Sequence, residues 1–397
     1  MKVAGYYFTG TGNSLDAATV VKERLTAAGH TVTLTDITDP EIGFKGPRVR
    51  YEKKIDTGTA DLLLLAFPVY SWDVPPVVRS FIRAIDRVPA PAPSGAETPR
   101  AGHGTEKSRT GRAAVLAVDG GGGSKAGHIA ASLLRKRGYD VFLSARAGYT
   151  ENWTMFSNPP ESAAAAAVNE TGRKMAADFA ERILENRGGS IEGSGSTGAL
   201  LRIVGFLFRN LGRKVLAECY AADSDCTGCG ICARTCPVQA IRMTGRARSG
   251  VPRDARNTAP DNGRKRPRWR PSCQSCNRCI NICPEKAINT SIPRLIALVS
   301  GMTVLCVLFI MAAGRYIRPL VQSLPVPAGV TALVYAIIVL LVIAASQFIG
   351  LAAIPPLMNL IGKIPAVRRS GKRAFTKTYN RYMMAGFKPA ARHSQRE

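Results

Sequence analysis

Eight of the ten cysteines in this 397-residue chain fall into two runs of identical spacing. The first, CTGCGICARTCP, holds Cys226, Cys229, Cys232 and Cys236 before Pro237. The second, CQSCNRCINICP, holds Cys273, Cys276, Cys279 and Cys283 before Pro284. Each reads C-x2-C-x2-C-x3-C-P, a spacing that suits paired 4Fe–4S clusters: three close thiolates wrap one face of a cubane, and the turn before the fourth aims it at the other cluster. By that rule one cluster takes Cys226, Cys229, Cys232 and Cys283, and the other takes Cys273, Cys276, Cys279 and Cys236. Tetrahedral zinc on four thiolates is the competing reading. Zinc ribbons use two C-x2-C pairs per ion, whereas here four ordered cysteines end in Pro and are followed by the matching VQAI and EKAI. Gly228 and Gly230 let the backbone approach inorganic sulfide, where amide hydrogen bonds raise a reduction potential. Cys219 and Cys306 lie outside the pattern and read as ordinary small side chains.

At the other end of the chain, FTGTGNS (residues 8–14) follows a short apolar run and precedes a helical pattern. It lacks the lysine of a P-loop, and Leu15 stands where a dinucleotide fingerprint needs its third glycine. What remains is a turn of hydroxyls and bare backbone: Thr9, Gly10, Thr11, Gly12, Asn13 and Ser14. With the N-terminus of the next helix, it suits one terminal phosphate held without a cation. Two further loops follow apolar strands. One carries Pro68, Val69, Tyr70, Ser71 and Trp72, whose two aromatic rings can sandwich a flat ring. The other carries Asp119, Gly120, Gly121 and Gly122, where bare backbone can reach a ligand edge. Phosphate turn, aromatic pair and glycine loop together point to FMN.

The elements that must position these loops alternate. Strand patterns cover 3–8, 31–35, 61–67, 113–118 and 139–145, with helical patterns over 14–28, 75–85, 125–137 and 162–185. Such alternation predicts a doubly wound parallel α/β sheet in the order 2-1-3-4-5, with its ligand at the switch point between strands one and three. Residues 1–186 form this unit, and 89–112 read as a mobile insertion. Residues 187–218 are a linker and a basic apolar helix, which either lies on a membrane surface or packs one domain on another. Residues 219–293 form a small α+β two-cluster domain interrupted by an arginine-rich solvated loop over 242–270. A nucleic-acid arm there is disfavoured, because Trp269 is its only stacking residue.

The combination of TGTGNS, then VYSW with prolines, then two cysteine runs resembles the flavodoxin–ferredoxin fusion proteins of the EFR family over residues 1–288. The resemblance implies a flavodoxin-like fold, FMN with Thr9–Ser14 at the phosphate and Tyr70 and Trp72 near the ring, and two 4Fe–4S clusters in a bacterial-type ferredoxin domain. Asn152-Trp153 falls where such proteins carry an aromatic after the fifth strand.

Two charge-free apolar runs, 295–313 and 330–354, are each long enough to cross a hydrocarbon core of about 30 Å and lie beyond that resemblance. A pair of buried helices is the alternative. Arg315 and Arg318 lie between the runs, while Lys363, Arg368, Arg369, Lys372 and Arg373 follow the second. That denser basic flank predicts a membrane hairpin over 294–355, with the N-terminal domains and a basic tail, 356–397, in the cytoplasm. The formal net charge of +26 suits nucleic acid, an anionic surface or an acidic protein, and does not choose between them. The four histidines sit apart, so no acid–base device is evident. The expected role is electron transfer between the clusters and FMN, with a redox protein or small acceptor as partner. The alternatives are a reductase acting on a small acceptor such as a quinone, and a redox-responsive membrane sensor.

Overall fold

The computed structural model describes residues 1–58, 60–88, 111–121, 124–191, 199–245, 265–361 and 375–391. The N-terminal unit alternates strand and helix: β1 (Lys2–Tyr7), α1 (Asn13–Ala27), β2 (Thr31–Asp36), a short β3 (Phe44–Lys45) and β4 (Arg50–Tyr51) ladder, and β5 (Leu62–Pro68). It continues with α2 (Pro76–Ala84), β6 (Arg112–Asp119), α3 (Ala126–Arg135), β7 (Asp140–Gly148), α4 (Ser162–Leu184) and β8 (Gly189–Ile191). The sheet order is β2-β1-β5-β6-β7-β8, every pair parallel, so the five long strands stand in the expected 2-1-3-4-5 order. This is the flavodoxin-like doubly wound arrangement. The central strand shows why it forms. LLLLAF of β5 is buried throughout, as a parallel strand covered by helices on both faces must be.

Three stretches depart from the sequence expectation. The linker contributes β8, which extends the sheet beside β7, while residues 192–198 lie outside the described residues. The basic apolar helix is α5 (Ala199–Leu207) and α6 (Arg213–Cys219), joined by a π-helical turn over Phe208–Gly212 rather than continuous. The arginine-rich stretch is not loop at its ends. After β9 (Tyr220–Ala222) and α7 (Ile231–Arg234), β10 (Ile241–Thr244) pairs with β11 (Arg266–Trp269) as an antiparallel ribbon. Residues 246–264 lie outside the described residues, as does nearly all of the 89–112 insertion. α8 (Arg278–Ile282) and β12 (Ile288–Thr290), paired with β9, complete this small α+β unit.

Beyond it, α9 (Ile292–Ala312), a π-helical turn and α10 (Arg318–Gln322) run as one rod, and α11 (Ala328–Ile361) returns alongside. The described residues thus hold two helices long and apolar enough to cross a membrane, Ile292–Gln322 and Ala328–Met358. Both run longer than the sequence expectation, and Arg315 and Arg318 belong to the helical rod rather than to the connecting loop. Leu298 and Met302 are buried, with Ile354 and Met358 packed beside them, while Leu308, Leu340 and Phe348 are more than half exposed.

The described part of the basic tail is not a free tail. Residues 375–391 return over both N-terminal units. The Lys377 ammonium lies 2.8 Å from Asp223 and 2.7 Å from Asp225. The Tyr382 amide donates to Asn281 at 2.9 Å, and the Met384 amide donates to the Thr11 carbonyl at 2.8 Å. A strap this far along the chain leaves no local sequence signature.

Candidate functional site

Three cavities lie close together. The largest, about 360 Å³, opens at the C-terminal ends of β1, β5 and β6. That is the switch point, where doubly wound sheets place ligands. Thr9, Gly10, Thr11, Asn13 and Ser14 line it, with Pro68 through Trp72 and with Asp119 and Gly120. The volume falls in the 300–1,000 Å³ range of small-molecule sites.

The phosphate-type turn is built for an anion. Gly12, at φ +113°, caps α1 in a conformation open to glycine, and its amide donates to Thr9 Oγ1 at 3.0 Å. Ser14 is fully buried at the start of α1, and its hydroxyl has no hydrogen-bond partner among the described residues. A buried hydroxyl beside a helix N-terminus is suited to hydrogen-bond an anion. Gly12 itself does not line the cavity; a Cβ there would lie 2.5 Å from Met384 Cβ and 2.9 Å from Phe387, on the strap.

Tyr70 and Asp73 exchange backbone hydrogen bonds at 3.2 Å, and Ser71 and Trp72 between them both have positive φ, the signature of a type I′ turn. Trp72 is thereby presented at the mouth, 37% exposed. Tyr70 lines the cavity but packs edge-on to Phe8, and its hydroxyl would be 3.0 Å from a Cβ on Gly10. Asp73 anchors the turn through Arg79 at 2.6 Å and through Arg209 of the π-helical turn. Arg209 brings its neighbour Phe208 into the cavity wall.

In the glycine loop, Asp119 also lines the cavity, but its carboxylate is occupied by Arg146 at 2.6 Å and by the Gly121 amide at 2.9 Å. Gly121 stands off the cavity, and Gly122 lies outside the described residues. Asn152 and Trp153 do line it, and Asn152 donates to Thr11 Oγ1. Seven wall residues were not named as site residues from the sequence: Val118, Ser124, Thr150, Glu151, Phe208, and Ser275 and Asn277 of the second cysteine run. The motif that contains the last two was a visible signal; their approach to this cavity was not.

The two smaller cavities hold the cysteines. One is lined by Cys226, Cys229, Cys232 and Cys283, the other by Cys236, Cys273, Cys276 and Cys279. The fourth thiol of each run, Cys236 or Cys283, thus lines the cavity walled by the other run. Among the described residues no three His, Cys, Asp or Glu side chains are grouped as they would be around a single metal ion. The donor chemistry fits a cluster: burial, then the neighbouring thiols, pushes Cys232 up to about 12, and burial, then Cys276, pushes Cys236 up to about 11. Cys273 and Cys279 are raised for the same reasons. Without a metal such crowded, buried thiols keep their protons; as thiolates they need positive charge from a bound metal centre. Tyr220 and Trp269, stacked at 5.3 Å, wall the second cavity, so the ribbon strand β11 serves the cysteines directly.

Arg278, between Asn277 and Cys279, is 3% exposed and joins all these loops. Its guanidinium donates to Thr9 O at 2.7 Å, Gly10 O at 2.6 Å and Thr235 O at 2.7 Å. A Cβ on Gly10 would meet the Cys276 carbonyl at 2.8 Å, so the turn and the cysteine loop touch backbone to backbone.

Fold and site together define a flavodoxin-like α/β domain docked on a 4Fe–4S dicluster domain, followed by two apolar helices. Residues 225–289 match the family model described as a 4Fe-4S dicluster domain. Among solved structures, an archaeal flavodoxin is similar at 11% identity and TM-score 0.27, covering 46% of this chain and 99% of its own. An NAD(P)H:quinone oxidoreductase from Methanothermobacter marburgensis is similar at 13% identity and TM-score 0.30, covering 46% and 96%. Flavodoxin 1 from Bacillus cereus is similar at 17% identity and TM-score 0.26, covering 46% and 98%. No curated protein matches the chain. The fold assignment rests on the strand order.

Proposed function

We propose that this chain is a membrane-held electron-transfer flavoprotein that moves electrons between two 4Fe–4S clusters and FMN. The observation that carries the reading is the contact of Cys276 with Gly10, which puts a cluster-type cysteine loop against a phosphate-type turn. Cys226, Cys229, Cys232 and Cys283 would hold one cluster, and Cys273, Cys276, Cys279 and Cys236 the other. Thr9–Ser14 would hold the FMN phosphate, with the 68–72 and 119–122 loops about its ring. The bound cofactors supply the redox chemistry, a flavin taking one or two electrons and each cluster one. The protein's own residues bind, orient and exclude water. The Ser14 hydroxyl and α1 N-terminus would hold the phosphate, Arg278 fixes the distance between the loops, and Tyr220 and Trp269 would keep one cluster dry. Anaerobically purified protein should contain about eight irons and one FMN per chain. Clusters reduced by dithionite in stopped flow should pass electrons on to the flavin. Zinc in place of iron, or a flavin that never receives cluster electrons, would overturn the reading. Reduction of a small acceptor such as a quinone is the second reading, favoured by Trp72 and Trp153 at 37% and 40% exposure.

We place the redox units and the C-terminus together on the cytoplasmic face, with two spans between. The strap supports this, because Met384 bonds Thr11, and an even number of crossings must separate two segments that touch. A reporter fused after Glu397 should read cytoplasmic. An external signal there would reject the hairpin.

A further inference from the structure

The two cysteine cavities are unlike in position, and the difference assigns them different partners. Ser275 and Asn277, which flank Cys276, line the large cavity, and Asn277 lines the Cys236/Cys273/Cys276/Cys279 cavity too. Cys236, Cys273 and Cys279 are each only 8% exposed, as is Cys232 of the other set, and Cys276, against the large cavity, is half-buried. No wall residue of the Cys226/Cys229/Cys232/Cys283 cavity reaches the large one. Instead Cys229 is exposed, and Cys226 and Cys283 are half-buried.

The surface about Cys229 is basic. Arg234 donates to the Cys229 carbonyl at 2.8 Å, and the Lys265 carbonyl faces Gly228. Lys286 adjoins Glu285, which lines this cavity, whereas Arg242 stands on the opposite face of β10 from the lining Met243, paired with Arg268. Arg234, Lys265 and Lys286 are exposed. The nearby acids are largely answered from within, since Asp223 and Asp225 share the Lys377 ammonium and Glu285 is left as the exposed counter-charge.

Resting on the electron-transfer reading above, we propose that the Cys226/Cys229/Cys232/Cys283 site is the outer port, where a small acidic one-electron carrier protein docks on the basic collar. The Cys236/Cys273/Cys276/Cys279 site is the inner relay to the flavin pocket. Each encounter moves one electron from the reduced carrier, which leaves oxidised, to the outer site, with no bond made and no proton moved. Two encounters supply the two electrons that the flavin pocket takes up with two protons from water. Complementary charge raises the rate of such encounters by about 10–1,000-fold and makes it fall with salt.

The test uses the full-length holoprotein in neutral-lipid nanodiscs and an acidic ferredoxin, reduced and freed of excess reductant. Wild type should be reduced by it at a second-order rate that falls steeply with ionic strength. In the double variant Lys265→Glu/Lys286→Glu that rate should drop at least tenfold at low salt and lose its salt dependence. Iron content, cluster EPR spectra and the dithionite-driven rate should not change. An unchanged carrier rate overturns the proposal. So does an equal loss with dithionite, or a loss that appears only when anionic lipid is added, which would make the collar a lipid contact. Failure of the electron-transfer reading itself looks different: in wild type, dithionite electrons would stop at the clusters.

Discussion

Replacing Cys236 by alanine should remove the cluster whose other ligands lie near residue 276, not the one built from its own sequence neighbours. Cys236 shares a cavity with Cys273, Cys276 and Cys279, and Cys283 shares one with Cys226, Cys229 and Cys232. About four of about eight irons should therefore be lost in either variant, but not the same four. Low-temperature EPR of Cys236→Ala should resemble that of Cys276→Ala, while Cys283→Ala should resemble Cys229→Ala. The functional consequences should also diverge. With the inner site lost, dithionite still reduces the outer site, but the flavin fills slowly. With the outer site lost, the flavin still communicates with the inner site and only the route from an external carrier fails. If Cys236→Ala and Cys229→Ala prove spectroscopically alike, the cavities have been assigned to the wrong sets.

The second large effect is expected at Arg278. Its guanidinium is buried and satisfies three backbone carbonyls, those of Thr9, Gly10 and Thr235. Arg278→Met leaves all three bare, at about 1–3 kcal/mol for each buried acceptor without a partner. None of the three is a cysteine ligand, so the iron should stay. What should go is the registration of the turn against the Cys276 loop. FMN content after gel filtration should fall, and transfer from inner cluster to flavin should slow at least tenfold. Arg278→Lys keeps the charge but not the planar fork that reaches three acceptors at once, so it should recover only part of the loss. A methionine variant that retains both FMN and transfer rate would mean that the docking of the domains does not depend on this residue.

Much of this was legible in the chain itself, for a physical reason that differs from element to element. The strand order followed from alternating periodicities, because a parallel strand buried on both faces must read as an unbroken apolar run, as LLLLAF does. The crossed cysteine sets followed from spacing, because a cubane's dimensions decide which thiolates a short turn can deliver to it. The strap over 375–391 was read only as basic, since its meaning lies in contacts such as Tyr382 to Asn13, made across most of the chain. Arg278 was likewise one of 54 lysines and arginines, with nothing local to mark it as buried. Phe208 entered the site because Arg209, its neighbour on a π-helical turn, reaches Asp73. Neither a residue's hydrophobicity nor its period encodes that.

The sequence by itself determined the two runs of four cysteines and the glycine- and hydroxyl-rich turn after the first strand, because each motif lies within a dozen residues. Only the tertiary structure decided which group of four faces the turn and which faces solvent. That choice depends on how two domains dock, and here docking is held by a buried guanidinium, a glycine with no room for a Cβ and a strap from the far end of the chain.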